Sequence, residues 1–150
     1  MKIVVASDHG GFDLKAAIIK HLKESGHQSI DGGTFDYGSC HYPSYAIPAG
    51  ELVASGQADF GIVICNTGIG ISIAANKVKG VRCAVAYDDR VVELTRRDND
   101  ANMIAFGAHF MKLDDVLRRV DLFLETPFDG GRHKTRVDII KDYEDKHYCQ

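Results

Sequence analysis

The chain has 150 residues, 45% hydrophobic and 26% charged, with a formal net charge of -3; this is the composition of an ordinary globular protein with one sizeable core. The mild acidity leaves no nucleic-acid footprint in bulk charge. No apolar run approaches the ~20 residues of a membrane helix, and the N-terminus turns polar at Ser7, short of the ~7–15 apolar residues of a secretory segment, so a cytoplasmic protein with no membrane contact is expected.

In chain order, the pattern predicts a strand over Lys2–Ala6 and an amphipathic helix over Phe12–Ser25, closed by Gly26. A short strand follows at Gln28–Asp31, then a helix at Tyr45–Ser55, a strand at Phe60–Cys65 and a helix at Ile71–Lys77. Strand Arg82–Ala86, helix Asp89–Arg97, strand Met103–Phe106 and helix Leu113–Glu125 come next, and Gly130-Gly131 opens a last helix to about Lys146. Apolar strands alternating with helices are the sequence form of β-α-β units. The expectation is one α/β domain over residues 1–150, with a mostly parallel five-stranded sheet covered on both faces. Ligands of such sheets bind at the carboxyl ends of the strands, which collects Ser7–Gly11, Cys65–Gly70 and Gly107 at one edge.

The most informative stretch is Ile62–Asn76, a buried strand, a glycine-bearing turn and a helix start. Cys65 ends the strand, and turn amides beside it suit an anion and favour a thiolate. The commoner fate of a strand-end cysteine is burial as a small core residue. Gly68-Ile-Gly70 is also part of a dinucleotide fingerprint, with Ile73 at the third glycine and Asp88 placed for a ribose, so nucleotide binding stays open on spacing alone. Cys83 reads as core and Cys149 as incidental. The seven histidines and four cysteines show neither C-x-x-C nor H-E-x-x-H spacing, so neither a metal nor a disulfide is expected.

Asp8-His9 follows the first strand, where an aspartate is often only a cap, while the histidine suits an anion or a proton shuttle. Arg96–Asn102 reads by itself as a solvated helix end and turn. Arg132 and Arg136, four apart at a helix start, oppose the helix dipole unless an anion joins them. Paired guanidinium forks suit a phosphate dianion.

Taken together, these motifs resemble the ribose-5-phosphate isomerase B family, grouped with the galactose-6-phosphate isomerase subunits. The resemblance rests on Ser7-Asp-His-Gly-Gly11, Asp31-Gly-Gly-Thr34, His41-Tyr-Pro43, Ile64–Lys77, Asn99-Asp-Ala-Asn102 and Gly130-Gly-Arg-His133. It implies a Rossmann-like α/β/α sandwich, no cofactor, and a homodimer or dimer of dimers whose sites are built from both subunits. It implies interconversion of a phosphorylated monosaccharide between aldose and ketose, foremost ribose 5-phosphate and ribulose 5-phosphate. A tetrose 4-phosphate, allose 6-phosphate or galactose 6-phosphate is the alternative. By the same resemblance Cys65 is the base, Thr67 stands beside it, and the backbone of Asn66, Gly68, Ile69 and Gly70 forms the anion hole. Asp8, His9 and Asn99 match sugar ligands, and Arg132 and Arg136 match phosphate ligands. The chemistry fits, since moving a proton between C1 and C2 needs one base that reaches both carbons and donors for the enediolate oxygen.

The chain departs from the family in two places. Asp98 stands where a histidine commonly helps open the furanose ring, and His109 stands where an arginine often reaches the partner's phosphate. A lesser change is Asn66 in place of a usual glycine.

Overall fold

A computed structural model describes residues 1–148; Cys149 lies outside the described residues. The apolar runs pair as five strands: β1 (Lys2–Ser7), β2 (Gln28–Asp31), β3 (Phe60–Cys65), β4 (Cys83–Val85) and β5 (Met103–Gly107). All pairings are parallel, in the order β2-β1-β3-β5-β4. Among the described residues six helices accompany them, the first four between strands and the last two after β5: α1 (Phe12–Glu24), α2 (Pro43–Ala54), α3 (Ile69–Ala75), α4 (Asp89–Arg97), α5 (Leu113–Glu125) and α6 (Arg132–His147). A 3₁₀ turn, His9–Gly11, leads into α1.

The strands are near-continuous apolar runs because both sheet faces are covered. Ile3, Val5, Ile62, Ile64, Ile104 and Phe106 pack on one side with Ile18, Val92, Val120 and Phe123. Val4, Ala6, Val63, Cys65, Met103 and Ala105 face the other way, onto Ala46, Ala49, Ile71 and Ala75. The all-parallel sheet is a stricter form of the mostly parallel one expected.

Boundaries differ from expectation for local reasons. α2 starts two residues early, because Pro43 has its φ set for the first helical turn and no amide to leave unpaired. α3 spans Ile69–Ala75 rather than Ile71–Lys77, because left-handed Gly68 ends the preceding turn there. Cys83 is half-buried on edge strand β4, at the rim of the core rather than within it.

Candidate active site

β2 lies to one side of β1, while β3, β5 and β4 lie to the other. The β1–β3 seam is therefore the topological switch point, where a crevice opens beyond the strand ends. Asp8 is buried there; its Oδ1 accepts the Gly10 amide at 2.9 Å and its own amide donates to the Ile64 carbonyl at 3.2 Å. Asp8 is thus a cap, with its second oxygen left over. His9 is exposed, and its Nδ1 accepts the Cys40 amide at 3.2 Å. In the neutral ring the proton then sits on Nε2.

Cys65 ends β3 with its side chain buried, and its sulfur accepts the Gly68 amide at 3.2 Å. Gly68 has φ +80, and a Cβ there would lie 2.9 Å from the Phe106 carbonyl carbon. A Cβ on Gly107 would come within 2.5 Å of the Thr67 oxygen. The two glycines let the Asn66–Gly68 loop lie directly over the end of β5. Thr67 Oγ1 accepts the Ile69 amide at 3.2 Å. The first-turn amides of Gly70 and Ile71 have no acceptor among the described residues, as helix starts leave them. Asn66, Ile69 and His109 are exposed at the same edge, and the His109 amide donates to the Asn66 carbonyl at 3.2 Å. Tyr42, not singled out from the sequence, forms a wall: a Cβ on Gly70 would meet its ring at 2.9 Å.

Asp98, Asn99, Arg132 and Arg136 stand elsewhere. Cys65 pairs with Gly107 at the end of β5, whereas Asn99 precedes Met103, where β5 begins. Four residue steps separate those ends, roughly 13 Å at about 3.3 Å per residue. Asp98, Asn99 and Arg136 line a cavity of about 380 Å³ with Arg82, Cys83 and Thr95. The Cys83 residue keeps partial solvent access, but its thiol is packed against the core, and that desolvation pushes it up to about 12, so it stays protonated at neutral pH. Arg132 and Arg136 are exposed and make no hydrogen bond or ion pair among the described residues.

The turn between α4 and β5 is no solvated helix end. Arg96 is 8% exposed and lies between the rings of Phe60 and Phe123, 5.0 and 5.7 Å from their centroids. It donates to the carbonyls of Ala101 at 2.6 Å and Thr126 at 3.2 Å, and to Asp100 Oδ1 at 2.9 Å. Arg82 holds the same turn through the carbonyls of Asn99 and Asp100. A charged residue closing a helix reads as solvated until the rings and carbonyls around it, distant in sequence, are known.

The features that kept nucleotide binding open serve other ends. The Asp88 carboxylate caps α4 by accepting the Arg90 and Val91 amides at 2.9 and 3.2 Å, and the Tyr42 ring fills the space over Gly70. Among the described residues, no group of three His, Cys, Asp or Glu is placed to hold a metal ion.

Residues 3–140 match the model of the Ribose/Galactose Isomerase family. The chain is 43% identical over 145 residues to the ribose-5-phosphate isomerase B of Escherichia coli, covering 97% of each. It superimposes on ribose-5-phosphate isomerase B of Clostridium thermocellum with a TM-score of 0.96 at 48% identity, covering 98% of this chain and 99% of that one. The Mycoplasma genitalium ribose-5-phosphate isomerase B with bound ribulose 5-phosphate gives 0.94 at 37% identity, over 97% of each. Fold and family define an aldose–ketose isomerase of phosphorylated sugars. The chain belongs to the Ribose/Galactose Isomerase family, within its ribose-5-phosphate isomerase B branch.

Proposed function

We propose that the chain interconverts ribose 5-phosphate and ribulose 5-phosphate by moving a proton between C1 and C2 through an enediolate, with Cys65 as the base. The observation that carries this is the sulfur seated at the switch point with the Gly68 amide on it at 3.2 Å. The Gly70 and Ile71 amides face the same turn without acceptors, a ready hole for the enediolate oxygen. Thr67, Asn66, Ile69, Asp8 and His9 line the mouth and contact the open-chain sugar.

Arg132 and Arg136 hold the phosphate, and Asn99 meets the sugar, from a second copy of the chain. One copy cannot supply both halves, because its Cys65 and Arg136 sit at opposite ends of the sheet. Exposed apolar side chains support such a homodimer: Ile69 and Ile73 on α3, Ile139, Ile140 and Tyr143 on α6. His109, beside Cys65, then meets the partner-bound phosphate. Anchoring the phosphate on one subunit and the carbonyl end on the other uses remote binding energy to place C1 and C2 over the sulfur.

A panel of tetrose, pentose and hexose phosphates run on the wild type and Cys65→Ala tests the reading. Ribose 5-phosphate is the best aldose, and Cys65→Ala loses turnover about a thousandfold on every substrate. Retained turnover in Cys65→Ala, or a clear preference for another sugar, removes the base or the substrate from the proposal.

A further inference from the structure

Asp98 does not stand alone. Its Oδ1 lies 3.5 Å from Nε2 of His133, whose side chain is 15% exposed. The pair is fixed by its surroundings. Arg97 donates through Nε to both carboxylate oxygens of Asp129, at 3.2 and 3.0 Å, and the Asp129 amide donates to the Arg97 carbonyl at 3.1 Å. That double tie clamps the end of α4, where Asp98 sits, to the turn that opens α6. With Nε2 turned to the carboxylate, Nδ1 is the ring nitrogen left for a ligand. His133 also lies between Arg132 and Arg136, the residues assigned above to the phosphate.

We propose that His133, held by Asp98, opens the furanose ring of the aldose phosphate; this rests on the isomerase reading above. Nδ1 takes the proton from the anomeric O1–H. C1–O1 becomes the carbonyl, and the C1–O4 bond breaks with its electron pair going to O4, which takes a proton from water. The imidazolium faces the Asp98 carboxylate, which stabilises it as the carboxylate of a catalytic triad does. It then returns its proton to water. His133 is the catalytic residue of this step and Asp98 the positioning residue. An unaided aspartate at position 98 would be a weak base for a hydroxyl, whereas an aspartate–imidazole pair is suited to that transfer.

The test separates ring opening from enolisation. Ribulose 5-phosphate is open-chain, because its C2 carbonyl could close only on O5, which carries the phosphate. Incorporation of solvent deuterium at its C1 therefore needs the base but no ring opening. In His133→Gln, kcat/KM for ribose 5-phosphate falls at least about tenfold, while deuterium incorporation into ribulose 5-phosphate stays within about threefold of wild type. Asp98→Asn gives the same split with a smaller loss, and it decides the matter if His133→Gln does not fold. Parallel falls in both readouts, or no change in either, overturn the role of His133. A wild type that neither incorporates deuterium nor converts ribose 5-phosphate overturns the isomerase reading itself.

Discussion

Gly68 turns its amide onto the sulfur of Cys65, 3.2 Å away, and does so from a left-handed backbone pressed against the Phe106 carbonyl. A side chain at position 68 is strained by its φ and blocked by main chain. Gly68→Ala should cost about 1–3 kcal/mol of stability. It should also cut kcat about a hundredfold, since a donor to the reacting centre moves. Thermal unfolding and steady-state kinetics check both, and intact turnover in a destabilised variant would separate the amide from the chemistry.

Mixed subunits test the divided site. Cys65→Ala and Arg136→Ala chains should each be inactive. Co-expressed in equal amounts they should recover about a quarter of wild-type activity, because half of the dimers are mixed and each carries one whole site of two. Co-purified protein that stays as inactive as its parents would place Arg136 outside the site.

Arg96 anchors the turn that presents Asn99. Arg96→Ala leaves the buried carbonyls of Ala101 and Thr126 without donors and a gap between Phe60 and Phe123. The expected loss is about 3 kcal/mol, read by urea unfolding. A loss near zero would mean that water replaces the guanidinium.

Asp89 gives the acid limb of stability. Hydrogen bonds from Arg118, then Arg119, hold its carboxyl down to about 2 from the usual 3.8. A lowered carboxyl stabilises the fold above its unfolded value and loses that contribution as pH falls through the folded one. The melting-temperature gap between wild type and Asp89→Asn should be full at pH 7, persist to about pH 4 and close towards pH 2. A gap independent of pH would assign the effect to packing.

The strand–helix alternation was legible because parallel strands buried on both faces are short apolar runs with little else inside them. Cys65 and its turn were legible because glycine at 68 and 70 has few other uses. What escaped depends on contacts between distant segments. His133 and Asp98 meet where Arg97 and Asp129 tie the end of α4 to the turn before α6. Arg96 disappears between rings supplied by Phe60 and Phe123. The separation of Cys65 from Asn99 had a signal in the order of elements: one residue ends a strand and the other precedes one.

That separation bears on how this chain can change over time. After duplication, each copy would need to keep only one end of its sheet. A copy that lost Cys65 and a copy that lost Arg136 would be dead apart and would hold one working site together. Two copies decaying in this way become mutually dependent without any new contact having to arise.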